Sequence, residues 1–224
     1  MIADPGAVET GDRRMQLLVE LATTVARAPW TLGRVDRTRA HAAGLDDADL
    51  LHAIALAALF GHLNRIADAV GVPLDYAVAL DVPQIDPAAP QLAPAPASLT
   101  GREAIDPGGR PATARALADW RGYMFQRDAP LTRRQRTLIA RWVATWLGDG
   151  GISAPDDLTN NPHDDLLRAL AEQITLAPWR LGEDSFAPLR AIGFDDVALF
   201  DVCATASSAG VFSRLNVALV ALAR

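Results

Sequence analysis

The amino-acid sequence predicts an all-α protein built from two copies of one helical unit. Half of the 224 residues are hydrophobic but only 6% are aromatic, and this composition favours helices over sheets. A segment near the N-terminus also recurs near the C-terminus, and apolar residues repeat at helical spacing within each copy. We therefore expect a duplicated helical fold in which the two copies are related by approximate two-fold pseudo-symmetry.

The repeat is clearest in residues 28–33, APWTLG, which return as APWRLG at 177–182. The same shift along the chain, which we call the repeat offset, aligns 28–72 with 177–221 without a gap, and 15 of these 45 positions are identical. So many identities at a single offset indicate a duplication rather than a bias towards alanine.

The pattern in each copy predicts a helix, a short helix and a long helix. In the first copy Pro29 ends the first helix, because the residue before a proline is driven out of the α region. Gly44 then ends the short helix, and Asp46 caps the long one, which continues to about Val70. Apolar side chains occupy most sides of this long helix, so we expect it to be buried.

The chain divides into a first copy at 1–81, a linker at 82–112, and an additional helix pair with the second copy at 113–224. Seven prolines within 82–112 predict a semi-extended linker. The added helices, expected at 114–126 and 131–147, have no counterpart at the repeat offset, because their equivalents would precede Met1. The duplication is therefore uneven. We expect all parts to form one compact domain.

Charge and hydropathy exclude several classes of protein. A formal net charge of −6 argues against nucleic-acid binding,. We interpret the local arginine cluster as a solvated helix face paired with acidic residues; it comprises Arg133, Arg134, Arg136 and Arg141. The N-terminus lacks the apolar core of a signal peptide, and the longest apolar stretch, 53–61, is short for a membrane span. We therefore expect a cytoplasmic protein with no membrane partner and no cofactor.

Residues 59–72, LFGHLNRIADAVGV, resemble a signature of the peroxidase-related branch of the alkylhydroperoxidase D-like (carboxymuconolactone decarboxylase) superfamily. The family pattern there is roughly F-N-F-x-N-R-[LIV]-A-D-x-[LIV]-G-V. Residues 131–140, LTRRQRTLIA, are similar to the family's L-S-x-R-E-R-E-L-I-A helix. The resemblance implies the family's helical fold and a protein that assembles, either as a homo-oligomer or with a cysteine-bearing paralogue.

The chain departs from this family where the chemistry would be. In active members the second motif continues into N-G-C-x-x-C, and its second Glu serves a proton relay. Here Thr137 replaces that Glu, and Asp149 and Ile152 stand where the two cysteines would be. A thiol peroxidase needs an attacking thiolate and a resolving thiol. The only cysteine, Cys203, aligns with the core position Ile54, so we expect an inert thiol and no thiol peroxidase activity.

The remaining candidates for a site lie mostly on the first long helix. His62 is either a satisfied core histidine or a general acid or base in a pocket. Candidate binding residues are Asn64, Arg65, Asp68 and Trp30. A buried Arg65 needs a carboxylate such as Asp68 or several carbonyls, and we interpret it as a tie between helices rather than a substrate clamp. Trp30 is interpreted as a packing or interface residue.

Three functions are compatible with this sequence. The first is a non-thiol enzyme acting on small, lactone-like or peroxidic substrates through His62, Asn64 and Arg65. The second is a catalytically silent scaffold, or a partner of an active paralogue. The third is a small-molecule binding module with a pocket between the two copies. No histidine spacing suggests a metal site.

Overall fold

The computed structural model describes residues 13–72, 111–150 and 161–223. These residues form eight α-helices and two short 3-10 helices, and no strand occurs within these ranges. The α-helices are α1 (Arg13–Arg27), α2 (Arg34–Ala42), α3 (Asp47–Val70), α4 (Pro111–Phe125), α5 (Arg133–Trp146), α6 (Pro162–Leu176), α7 (Glu183–Ala191) and α8 (Asp196–Ala223). The 3-10 helices Pro29–Thr31 and Pro178–Arg180 follow α1 and α6. The all-α prediction is confirmed.

Local signals in the sequence set the helix boundaries. The carboxylate of Asp46 accepts a hydrogen bond from the amide of Asp49 at 2.8 Å, which caps α3,. Gly71 ends α3 with a φ of 65°, a left-handed conformation that favours glycine,. The predicted linker at 82–112 lies outside the described residues except for its last two, which belong to α4. The described part of α4 thus includes 111–113, before the expected start of this helix.

The boundaries in the first described range recur in the last one. Shifted by the repeat offset, the end of α1 coincides with the end of α6, both ends of α2 coincide with those of α7, and the start of α3 coincides with that of α8. The caps recur as well, since the carboxylate of Asp195 accepts from the amide of Ala198 at 2.8 Å, as Asp46 does in α3. Gly44 and Gly193, at the same offset, have φ angles of 78° and 98°. Equivalent residues therefore set equivalent boundaries.

The core consists of two apolar clusters that share α8. The first half of α8 packs against α5, α6 and α7 through side chains such as Val202 and Ala206. Its second half packs against α1, α2 and α3 through side chains such as Leu215 and Ala218. Because both clusters contain this helix, α8 is buried along most of its length.

The long helix of the first copy is less buried than the sequence predicted. In α3 only Leu50, Ile54 and Ala58 are buried, whereas Leu56 and Phe60 are more than half exposed. The expectation of a helix buried on most sides is wrong for α3 and describes α8 instead. The physical reason is that α4 and α5 cover α8, and no described helix covers α3 in the same way.

Two of the described helices are long and apolar enough to cross a membrane by length and composition alone. They are α3 and α8, although the longest uninterrupted apolar stretch, 53–61, is short for a membrane span. The apolar window of α8 is 78% buried within the protein, as in the core helix of a soluble domain. That of α3 is 17% buried. Such helices are weak evidence for a membrane protein, because core helices pass the same test.

A buried ion pair fastens the loop before α5 to α8. Arg136 has no exposed surface, and its guanidinium donates to both carboxylate oxygens of Asp201. It also donates to three carbonyls around that loop, those of Met124, Ala129 and Leu131. The expectation of a solvated arginine face is therefore wrong for Arg136, which lies on the inner side of α5. Arg134, in contrast, pairs with Asp164 at 2.7 Å as predicted.

We expect Asp201→Asn to destabilise the protein, because it leaves the buried guanidinium of Arg136 without a counter-charge. Breaking one partner of such a pair typically costs about 3–5 kcal/mol. Asp196→Asn is the control, since the pair between Arg190 and Asp196 is exposed and exposed pairs contribute about 0–1 kcal/mol. Urea unfolding of both variants measures the free energies. Equal losses would contradict a special role for the buried pair.

Candidate functional site

The five residues predicted to form a site do not form a single cluster. His62, Asn64, Arg65 and Asp68 lie in the second half of α3, and Trp30 lies in the 3-10 helix after α1. Asn64 is exposed, and Trp30 is half-buried against the cluster formed by α5 to α8. Of the five, His62 and Arg65 interact directly with groups of α8 or α6.

Arg65 lies beside Arg214, its equivalent at the repeat offset. The Nη2 atoms of both donate to the same carbonyl, that of Thr175 in the last turn of α6, at 3.2 and 3.5 Å. The Nε atom of Arg214 donates to the carbonyl of Ala26 in the last turn of α1, at 3.1 Å. Ala26 and Thr175 are themselves equivalent positions of the repeat. Each arginine therefore binds a helix end in the other half of the chain, where carbonyls lack helical N–H partners.

Each arginine also lies over a glycine one turn earlier in its own helix. The Nη1 atom of Arg65 donates to the carbonyl of Gly61 at 2.8 Å, and that of Arg214 to Gly210 at 3.2 Å. A Cβ atom on Gly61 would lie 3.0 Å from this nitrogen of Arg65, and one on Gly210 only 2.7 Å from that of Arg214. Glycine at these positions makes room for the guanidinium groups.

The two guanidinium groups are withdrawn from water and repel each other. Burial lowers the pKa of Arg65 to about 10, and the charge of Asp68 opposes this shift. The pKa of Arg214 is also lowered, mainly by burial and further by the charge of Arg65. Both effects follow from the cost of holding a cation in a poorly solvated site beside another cation.

Carbonyl oxygens take the place of the expected carboxylate partner. Within the described residues, no ion pair joins either guanidinium to a carboxylate, so the suggested ion pair between Arg65 and Asp68 is not formed. The Nε atom of Arg65 is buried and has no hydrogen-bond partner. The arrangement ties the ends of α1 and α6 to the two long helices, which is a structural task.

His62 is the most chemically suggestive of the predicted residues. Its ring meets the edge of Trp120 at a centroid distance of 5.2 Å, and its Nδ1 atom is buried without a hydrogen-bond partner. Burial lowers the pKa of His62, the backbone of Ser207 opposes this effect, and the charge of Arg65 adds to the lowering. A neutral imidazole could act as a base, but its neighbours are an aromatic ring and a backbone group.

The lone cysteine is far from the reactive state that a thiol peroxidase requires. Cys203 is only 2% exposed, and burial raises its pKa to about 12. At the position of the family's first cysteine, Asp149 is also buried, and Asn216 donates to its carboxylate at 2.7 Å. Ile152, at the second position, lies outside the described residues. Thr137 donates to the carbonyl of Arg133 at 2.8 Å, as a helix-surface threonine often does,.

Sequence reasoning missed the buried polar pairs that join α8 to α5 and to the residues just after it. Asp201 occurs within an apolar helix, and a buried acid must be compensated by a cation or by several donors. That signal was available in the sequence, but its partner Arg136 was assigned to the surface. The pair of Asp149 and Asn216 carried a weaker signal: Asn216 also lies in the apolar α8, but an uncharged amide does not require a charged partner.

A half-open cleft of about 220 Å³ lies away from His62 and Arg65, where α1 and α2 meet the beginning of α3 and the end of α8. Its floor is apolar, and Glu20, Asp36 and Arg39 contribute polar atoms. Arg39 pairs with Glu20 at 2.8 Å. None of the residues that were predicted to form a site lines this cleft. In the described part of the chain, no group of three acidic, histidine or cysteine side chains is arranged to hold a metal ion.

We expect Gly210→Ala to lower the free energy of unfolding by about 1–3 kcal/mol, the usual cost of overpacking a core. The new Cβ would lie 2.7 Å from a guanidinium nitrogen that is surrounded by protein. Gly122→Ala is a matched control in α4, where nothing lies within 4 Å of the new Cβ. That change should stabilise by roughly 0.5–1 kcal/mol, because alanine favours helices. A stabilised Gly210→Ala variant, measured by urea unfolding, would contradict the close contact.

Stability should also depend on the titration of His62. An unfolded histidine gains its proton near pH 6.5, whereas the lowered pKa of His62 delays protonation in the folded state. Below about pH 6.5 the unfolded state therefore binds more protons, and the stability present at higher pH is lost as the pH falls. His62→Phe keeps a ring against Trp120 and should reduce the loss in urea midpoint between pH 7.5 and 5.5. An unchanged loss would show that His62 does not contribute.

Comparison with protein-family models, with curated proteins and with solved structures found no match to this chain. The similarity to the alkylhydroperoxidase D-like superfamily therefore depends on the two sequence motifs alone. Function has to be inferred from the residues and their geometry.

Proposed function

We propose that this protein is a catalytically silent scaffold with a duplicated alkylhydroperoxidase D-like fold, which acts by assembling with a partner. The observation that carries the proposal is the state of Cys203, whose thiol is sealed in the core with a pKa of about 12. A peroxide can be reduced by a thiolate but not by such a thiol.

Duplication and pseudo-symmetry are part of the same proposal. The recurrence of helix boundaries at the repeat offset supports it. The exchanged hydrogen bonds give further support, since Arg65 binds Thr175 while Arg214 binds Ala26. In a pair of units related by a two-fold axis, each contact from the first unit to the second has a partner in the reverse direction.

The geometry also disfavours the non-thiol enzyme. That hypothesis placed His62, Asn64 and Arg65 in one pocket, but Asn64 is exposed and Arg65 is bound to backbone carbonyls. Catalytic groups are normally held where a substrate can reach them. An uncovered apolar surface on α3 instead favours a protein that binds another protein,.

Small-molecule binding is a second candidate, favoured by the cleft of about 220 Å³. A ligand with an apolar body and a polar end would match the leucine floor and the charged rim. Homo-oligomer formation or assembly with a cysteine-bearing paralogue follows from the scaffold proposal. A cytoplasmic location and the absence of cofactor, nucleic-acid or membrane partners remain predictions from the sequence.

We expect no thiol-dependent turnover of an organic hydroperoxide in the presence of a dithiol reductant. The purified protein should give the rate of the reductant alone, and Cys203→Ser should leave that rate unchanged. A protein with an accessible C-x-x-C centre serves as the positive control. Turnover that disappears in the Cys203→Ser variant would contradict the proposal directly.

A further inference from the structure

Four large apolar side chains form an exposed stripe in the middle of α3. Leu56, Leu59, Phe60 and Leu63 are 54%, 38%, 58% and 50% exposed. Their spacing of three and four residues places them on one side of the helix. We refer to these four residues as the α3 stripe. A contiguous exposed patch of this kind is a typical feature of a protein interface.

The equivalent surface of α8 is covered. The repeat offset places the stripe on Thr205, Ser208, Ala209 and Phe212, which are between 0% and 7% exposed. Helix α5 covers this surface where Arg136 donates to the hydroxyl of Thr205 at 3.2 Å. Helix α4 covers it where Trp120 and Phe125 meet the ring of Phe212 at 5.2 and 6.1 Å.

The two long helices therefore differ in what lies over the same surface. A helix pair covers α8, while the described residues provide no such cover for α3. The side chains differ accordingly, because α8 carries mostly small residues under its cover and α3 carries three leucines and a phenylalanine. Large apolar side chains gain most from being removed from water, so the α3 stripe is suited to a partner.

We propose that a second copy of this chain covers the α3 stripe, with the two α3 helices packed antiparallel about a two-fold axis. This inference deepens the proposed scaffold function and depends on it. In a two-fold interface the same patch is used twice, and each contact occurs in both directions. An axis that passes between Leu59 and Phe60 places Leu56 against the partner's Leu63 and Leu59 against the partner's Phe60.

The charge distribution favours self-association. Between Asp49 and Arg65, α3 contains no Asp, Glu, Lys or Arg, so two copies can meet here without like-charge repulsion despite their net charge of −6. The first turn of α3 is acidic, with Asp47 and Asp49. A parallel pair would bring both acidic turns together, whereas the antiparallel pair separates them.

A membrane surface fits the same stripe less well. Helices that lie on membranes usually carry Lys and Arg on the polar side, and Arg65, the one Lys or Arg residue of α3, is bound inside the protein. A spanning orientation would remove α3 from the core cluster that contains Leu50, Ile54 and Ala58.

Sedimentation equilibrium of the full chain tests the dimer. We expect the wild type to show twice the 23.8 kDa chain mass at micromolar concentration. Phe60→Glu and Leu63→Glu should each raise the dissociation constant roughly 30-fold or more, the effect of losing a hot-spot residue. Val35→Glu is the matched control, because Val35 is an exposed apolar residue on α2, and it should leave the constant unchanged. Circular dichroism confirms that each variant is folded.

Disulfide formation tests the antiparallel arrangement. Leu56→Cys and Leu63→Cys variants are mixed, allowed to exchange subunits and oxidised; the native Cys203 is buried and does not compete. We expect a cross-linked dimer from the mixture and little from either variant alone. Cross-linking of each variant with itself, with no disulfide between a Leu56→Cys chain and a Leu63→Cys chain in the mixture, would overturn the antiparallel pairing.

Other outcomes overturn the inference as a whole. They are a monomeric wild type at 100 μM (order of magnitude), a dimer that Phe60→Glu and Leu63→Glu leave intact, or a wild type that binds neutral phosphatidylcholine vesicles through the stripe and does not dimerise. The hydroperoxide assay keeps this result separate from the proposed function. A monomer without hydroperoxide turnover would contradict the dimer but not the catalytically silent scaffold. A dimer with thiol-dependent turnover would contradict the silent scaffold but not the dimer.

Discussion

Two cations held in a poorly hydrated interior are the constraint on which the arrangement of the helices depends. A guanidinium group has five N–H donors and cannot practically lose its proton, so the protein around it has to provide acceptors. Here the carbonyls come from the last turns of α1 and α6 and from glycines in the two long helices. Those last turns would otherwise have unpaired carbonyls inside the protein. The guanidinium groups therefore provide the donors that these carbonyls need, and the carbonyls provide the acceptors that the guanidinium groups need.

At the other end of α8, a buried guanidinium group is bound by a carboxylate as well as by carbonyls. Arg136 is also fully buried, but its charge is balanced by Asp201, which further accepts a hydrogen bond from the amide of Leu131 at 3.1 Å. The loop before α5 is thereby fixed to α8, and the helix pair α4 and α5 can cover that helix. The buried α8 therefore carries or contacts two kinds of arginine site, one with carbonyl partners and one with a carboxylate.

Much of the local structure could be predicted because it depends on neighbouring residues. Prolines, glycines and capping aspartates act within a turn of where they occur, so the ends of α1 and α3 follow from Pro29, Asp46 and Gly71. The surroundings of a side chain depend on distant residues instead. The apolar pattern of α3 resembles that of α8, and only the three-dimensional arrangement reveals which of the two is covered.

The candidate site was predictable only in part for a related reason. The sequence indicated that Arg65 would be withdrawn from water and bound to acceptors. It could not identify Thr175 as the acceptor, since that residue is 110 positions away and binds through its backbone. Every residue type has a backbone carbonyl, so a hydrogen bond to one does not require a particular residue at the partner position. Such a bond therefore cannot be predicted from a sequence motif.

The close approach of each guanidinium to a glycine one turn earlier has an evolutionary consequence. A chain that replaced Arg65 by a shorter residue would no longer need an empty position at Gly61, and alanine there would then improve the helix. The reverse order of events is disfavoured, because a Cβ atom at 61 would lie 3.0 Å from the guanidinium and would require it to shift. Positions 61 and 65 are thus expected to co-vary among descendants of this sequence, with the arginine lost before the glycine, and the same holds for 210 and 214.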